Sequence, residues 1–296
     1  MTGISEGTVD ANGLRFGYLT AGESGPLALC LHGFPDSAWT WRHLLPRLAE
    51  AGYRAVAPWL RGYAPTQVPD DGVYQSAMLG LDAGALHTAF DGDGDAVLVG
   101  HDWGALASYA AVHDTVGGAS RWRRLVTLAV PPPGAVAAGF LSYDQLQKSW
   151  YMFFFQHPLA EMAVAMADLE FVDRLWADWS PGYTPEPEEW EALLETFRAP
   201  GVLSAALGYY RTALAPASGA PERVAAQARA TTENVPVETL YLHGLRDGCI
   251  ASSLCEGLEE AHPKGLRMEL VPEAGHFLHL EQPERVNAAI LDFLSR

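Results

Sequence analysis

Short apolar runs with the length of buried strands alternate with helix-like segments along most of this chain, and that alternation restricts the fold more than any other feature. The runs are "LRFGYLTA", "LALCLHG", "YRAVAPWL", "AVLVGHD", "LVTLAV", "TLYLHG" and "MELVPEAGH". Helical segments are predicted over 41–51, 74–90, 103–113 and 283–295. Parallel neighbours in a sheet need a crossover of a dozen or more residues, usually a helix, and helices on both faces leave the strands apolar throughout. The pattern therefore predicts an α/β class: a mainly parallel sheet flanked by helices.

The rhythm stops after "LVTLAV". From "PPPG" to residue 235 the sequence is helical and aromatic-rich, with "KSWYMFFFQHPLAEMAVAMADLEFVDRLW" and "PEEWEALLETFRAPGVLSAALGYYRTAL" inside it, and strands resume at "VETLYLHG". An insertion between two strands of one sheet is best placed as a helical cap over the carboxyl edge, where open α/β sheets bind ligands. The expected organisation is a core over 1–132, a cap over 133–235 and a second core part over 236–296.

Composition narrows the function. A chain of 296 residues with 49% hydrophobic content can bury a large core. Its formal net charge of −17, with Lys148 and Lys264 as the lysines, repels phosphate backbones and anionic lipid. Neither nucleic acid nor a membrane is expected as a partner; a monomer or a homodimer is. Cys30, Cys249 and Cys255 are scattered and form no C-x-x-C pair, so they indicate neither a disulfide framework nor a zinc site. The opening "MTGISEGTVDANG" lacks the basic and apolar regions of a secretory signal. No apolar run approaches the ~20 residues that span a bilayer, and a cytoplasmic location is expected.

The stretch "DAVLVGHDWGALASYAAV" holds the strongest chemical signal. A buried strand runs into a small-residue helix through Gly100-His101-Asp102-Trp103-Gly104. This has the form of a nucleophile elbow, with glycines where a Cβ would clash, but the residue lifted towards substrate is an aspartate. Four loops fall at carboxyl ends of strand-like runs and carry "HGFPD", Asp102, "GLRDG" and "EAGHF". Asp102, Asp247 and His276 follow the order nucleophile, acid, histidine.

Together with "HGFPDSAWTWRHLLPRL", "RGYAPT", "SWYMFFFQ", "YYR" and "AGHFLHLEQPERV", these pieces make the chain resemble an α/β-hydrolase of the soluble epoxide hydrolase type. The resemblance implies an eight-stranded sheet with the cap inserted after the sixth strand. It implies conversion of a small apolar epoxide and water to a vicinal diol. Carboxylates displace at saturated carbon, forming an alkyl ester that water can cleave. Asp102 would be that nucleophile, and His276, held by Asp247, the base for the water. Backbone N–H groups of Phe34 and Trp103 would receive the oxyanion. The resemblance places two tyrosine hydroxyls from the cap over the epoxide oxygen: Tyr151, and Tyr210 in preference to Tyr209, because it precedes Arg211. Phe34, Pro35, Trp103 and Phe155 are expected to line the substrate pocket. No metal or organic cofactor is implied.

Other readings of the same residues remain. A haloalkane or haloacid dehalogenase also displaces with an elbow aspartate, but "HDWGALASYAA" offers no arginine for a substrate carboxylate. A non-catalytic ligand-binding relative would keep the fold without turnover. His279 rivals His276, although the "AGH" loop favours the latter. His32 and His101 are assigned structural contacts, and "DGDGD" over 91–95 a solvated turn in place of a calcium loop. Trp59 and Ala64 depart from the family pattern, where aspartate and glycine are usual, and are expected to affect pocket shape.

Overall fold

Eight strands pair into a single sheet in the computed structural model, which describes residues 3–114, 117–215 and 221–296. They are β1 (Ser5–Ala11), β2 (Leu14–Ala21), β3 (Leu27–Leu31), β4 (Arg54–Pro58), β5 (Val97–His101), β6 (Arg124–Leu128), β7 (Thr239–Gly244) and β8 (Leu266–Val271). Their spatial order is β1-β2-β4-β3-β5-β6-β7-β8. The β1/β2 and β2/β4 pairs are antiparallel, and every pair from β4/β3 to β7/β8 is parallel. The chain has the expected α/β-hydrolase architecture.

Burial explains which strands could be read from sequence. Every residue of β3, β5, β6 and β7 is buried, as strands covered on both faces must be. The sequence reading found no strand over β1, "SEGTVDA", an edge strand whose burial is confined to Ala11 and partial cover of alternate residues. Polar residues protect such an edge from pairing with another chain, which removes the apolar signal.

The residues between β6 and β7 form helices, including Tyr143–Lys148, Trp150–Phe154, Ala160–Trp179, Pro187–Arg198, Val202–Ala213 and Pro221–Thr232. The sheet closes beneath them, because β6 and β7 pair directly from Leu125↔Thr239 to Leu128↔Leu242. The cap is locked to the core by polar contacts at buried positions. Tyr209 Oη donates to the Arg61 carbonyl at 2.7 Å, and Trp176 Nε1 donates to the Pro35 carbonyl at 2.7 Å. Arg61 in turn forks onto both oxygens of buried Asp82, at 2.6 and 2.7 Å. Among the described residues no helix is long and apolar enough to cross a membrane.

Candidate active site

Asp102 sits between β5 and the helix Trp103–Val112 with φ 53° and ψ −117°. A non-glycine residue in such a conformation stores roughly 1–3 kcal/mol, which the surrounding packing must hold in place. Here the packing has no slack. A Cβ on Gly104 would stand 2.0 Å from the Leu31 carbonyl oxygen, so only glycine lets the helix start this close to β3. A Cβ on Gly33 would stand 2.3 Å from Asp102 Cβ. The "HG" of the preceding loop thus lets its backbone come against the elbow, and Phe34 N–H donates to Asp102 Oδ1 at 2.8 Å. Trp103 N–H is the first amide of its helix, one of those with no intrahelical acceptor.

His276 lies in the loop after β8. Its Nδ1–H donates to Asp247 Oδ2 at 2.9 Å, while Nε2 faces Asp102 Oδ2 at 3.4 Å. The other Asp247 oxygen accepts from the Cys249 and Ile250 amides at 2.6 and 2.8 Å. Asp247 is therefore fully engaged and fixes the orientation of the imidazole, with Nε2 turned to Asp102. Further contacts hold the two loops. His276 N–H donates to the Trp179 carbonyl at 3.0 Å, and Phe277 N–H to Ser180 Oγ at 2.9 Å. Glu281 accepts from Gly275 N–H at 2.8 Å, and buried Gln145 bridges the Cys249 carbonyl and the Ala251 amide.

Electrostatics follow from this packing. Burial pushes the Asp102 carboxyl up, but the facing His276 and the Phe34 amide outweigh it and hold the group below its ordinary value. Asp247 is likewise raised by burial and lowered by more through His276. Burial disfavours the His276 imidazolium, yet the charge of Asp247 and then of Asp102 prevail and raise it to about 10. The two carboxylates thus favour the protonated form of His276 in the free protein.

A cavity of about 650 Å³ opens over Asp102 between cap and core. Tyr151 and Tyr210 stand on its cap side with ring centroids 5.4 Å apart. Burial raises both hydroxyls well above the ordinary tyrosine value, so both are neutral donors. Among the described residues Tyr210 Oη makes no close hydrogen bond, whereas Tyr151 Oη lies 3.4 Å from Cys249 Sγ. Tyr209 is turned away: its hydroxyl is spent on Arg61 and its ring stacks on Tyr74.

The pocket wall differs from the expectation. Trp103 lines the cavity, but Phe34, Pro35 and Phe155 do not. Phe34 and Phe155 are fully buried and pack edge-on against each other and against Tyr210, behind the tyrosines. Holding two hydroxyls over one carboxylate requires rigid backing, and these rings supply it. The aliphatic wall comes instead from Val136, Leu214, Val224 and Ala228, on cap segments whose hydrophobicity resembles any helix core. Trp59 and Ala64 also lie outside this wall. Among the described residues lining the cavity there is no lysine or arginine.

The remaining histidines are satisfied elsewhere. His32 Nε2 accepts from Leu60 N–H at 2.9 Å, and burial lowers its pKa to about 4. His101 Nε2 donates to the His276 carbonyl at 2.9 Å. His279 Nε2 meets Thr40 Oγ1 at 2.5 Å, and its ring stacks on Trp41. The 91–95 run forms a turn in which Asp93 Oδ1 accepts from Asp95 N–H at 3.0 Å. Two buried trios bring ligand atoms within 4.8 Å of one another: Asp36, His101 and His279, and Asp102, Cys249 and His276. In the sequence Cys249 is one of three scattered cysteines; its position two residues beyond Asp247 is the signal that singles it out.

Comparison with known proteins gives the same picture. The model of the alpha/beta hydrolase family matches residues 28–289. Epoxide hydrolase 3 of Xenopus tropicalis is 32% identical over 96% of this chain and 75% of its own length. Epoxide hydrolase 4 of Homo sapiens is 31% identical over 96% and 76%. Among solved structures, an epoxide hydrolase from Vigna radiata superimposes with a TM-score of 0.81 at 26% identity, covering 100% of this chain and 99% of that one. With the elbow, the fold and these relatives in agreement, the chain belongs to the α/β-hydrolase family, within its epoxide hydrolase-like group.

Proposed function

We propose that the protein hydrolyses an apolar epoxide to a vicinal diol through a covalent ester on Asp102. The observation that carries this reading is the pairing of an ionised elbow carboxylate with two neutral tyrosine hydroxyls across one cavity. Asp102 Oδ2 attacks a ring carbon as the carbon–oxygen bond breaks, and the departing oxygen takes a proton from Tyr151 or Tyr210. The tyrosinate left behind is buried and regains a proton, by way of solvent, from the His276 imidazolium. Esterification has by then removed the Asp102 charge, one of the two that raise His276, so neutral Nε2 becomes accessible.

Neutral His276 then takes a proton from water as that water attacks the Asp102 carboxyl carbon. The Phe34 and Trp103 amides stabilise the resulting oxyanion. Collapse breaks the ester bond, the departing diol oxygen takes its proton from His276, and the new Asp102 carboxylic acid passes its proton back to His276, restoring the carboxylate. An apolar wall without lysine or arginine suits a neutral substrate and gives no partner to a haloacid carboxylate. A single turnover in heavy-oxygen water tests the scheme. Label enters Asp102 and is absent from the first-turnover diol; label passing straight into that diol rejects the ester.

A further inference from the structure

The cavity floor carries a group that the proposed reaction does not use. Cys249 is 1% exposed, lines the same cavity as Asp102, and offers its Sγ within 4.8 Å of an Asp102 oxygen and a His276 nitrogen. The other two cysteines point elsewhere: Cys30 is inside β3 and Cys255 lies against Tyr241. His276 Nε2 is fully buried and faces Asp102 Oδ2 at 3.4 Å, so imidazole, carboxylate and thiol converge on one point.

We propose that Asp102, Cys249 and His276 form an inhibitory site for a soft divalent cation of the zinc type. The donor set is one carboxylate, one imidazole and one thiol, which matches the mixed O, N and S ligation that zinc accepts and magnesium or calcium do not. Zinc–ligand lengths of about 2.0–2.3 Å require these atoms to draw in by roughly an ångström, leaving a fourth position for water. Each donor is already oriented. Asp247 takes the far nitrogen of His276, as outer-shell carboxylates do for metal-bound imidazoles. Phe34 N–H fixes Asp102, and the Cys249 amide is anchored on Asp247.

Charge favours the same occupant. Asp102 and Asp247 are two buried carboxylates against the single charge of His276, and no lysine or arginine lines the cavity among the described residues, so the cluster keeps a net negative charge that a neutral epoxide does not balance. Binding displaces the Sγ proton and any proton on Nε2 to solvent, with no change of oxidation state. The other buried trio, Asp36, His101 and His279, feels the nearby Arg42 guanidinium and has no thiol. It suits a cation less well.

That the cation inhibits rests on the reading of Asp102 and His276 as nucleophile and base; that it binds does not. The test is a titration of the purified protein with cobalt(II), followed by absorption, alongside diol formation assayed with zinc chloride. The expected spectrum shows tetrahedral bands and a thiolate-to-cobalt charge-transfer band, both removed by one equivalent of zinc. Zinc inhibits competitively with the epoxide, and Cys249→Ser weakens that inhibition, measured against its own uninhibited rate, by roughly tenfold or more. Magnesium chloride at the same concentration leaves turnover unchanged.

A spectrum without the charge-transfer band, or equal zinc inhibition in both proteins, overturns the site. Should Cys249→Ser fail to fold, protection of the Cys249 peptide from thiol alkylation by one equivalent of zinc decides instead, with no protection counting against it. Cobalt binding with the thiolate band in a protein that opens no epoxide keeps the site and discards the reaction.

Discussion

Gly33→Ala is a small change with a large calculated consequence at the nucleophile. The added methyl would lie 2.3 Å from Asp102 Cβ and 2.4 Å from Oδ1. Carbon atoms in contact prefer about 3.5–4.0 Å, so the loop and the elbow must separate by roughly 1.2 Å. Gly33 does not occupy the left-handed region, so alanine adds no left-handed strain and the clash dominates. Moving the loop carries the Phe34 amide with it and stretches a 2.8 Å bond beyond hydrogen-bond range. Loss of one oxyanion donor is worth about 3 kcal/mol, or about 100-fold in the hydrolysis of the ester. The assay is pre-steady-state diol release, with urea denaturation run in parallel to correct for an overpacking cost of about 1–3 kcal/mol. The variant should still form the ester in a burst and then turn over about 100-fold more slowly. A folded Gly33→Ala protein with kcat within twofold of the parent would refute the role given to the Phe34 amide.

Three further outcomes follow from the same geometry. Tyr151→Phe and Tyr210→Phe should each lower kcat/KM by roughly 10–100-fold, since one oxygen donor remains, while Tyr209→Phe should lose stability but little activity; steady-state kinetics of the three compare them directly. Arg61→Leu leaves Asp82 charged and buried at the base of the cap, and should cost about 3–5 kcal/mol in urea unfolding. The triad also imposes a pH window on stability. Asp102 and Asp247 are held below their ordinary 3.8, so the stability they add is present above that pH and is lost as the pH falls beneath it. His276 is raised from 6.5 to about 10, so its contribution is complete below 6.5 and disappears as the pH climbs towards 10. Unfolding midpoints across pH should show a plateau between these limits, and His276→Gln should flatten the alkaline descent.

Most of the sheet was legible because parallel strands covered on both faces must be apolar throughout, as "LALCL" and "VLVGH" are. β1 was not, because an exposed edge strand owes its residues to solvent and not to a core. Asp102, Asp247 and His276 could be picked out because each sits in a loop whose glycines and order signal an elbow, an acid turn and a histidine loop. The cavity wall could not. Val224 and Phe155 are both apolar residues on cap segments, and only the folded cap decides that one lines the cavity while the other supports Tyr210. The adjacent tyrosines show the same limit. Tyr209 and Tyr210 differ in role because their helix turns one hydroxyl to the Arg61 carbonyl and the other to the cavity. Cys249 reads in the sequence as one of three scattered cysteines, because a lone thiol there carries no geometry.

The most direct test of the whole account is intact-protein and peptide mass spectrometry of His276→Gln mixed with a reactive terminal epoxide. The variant keeps the nucleophile and removes the base, so a mass increase equal to one epoxide should accumulate on the peptide containing Asp102 and persist for minutes. An unmodified Asp102 peptide under those conditions, or an adduct confined to Cys249, would contradict the covalent carboxylate mechanism.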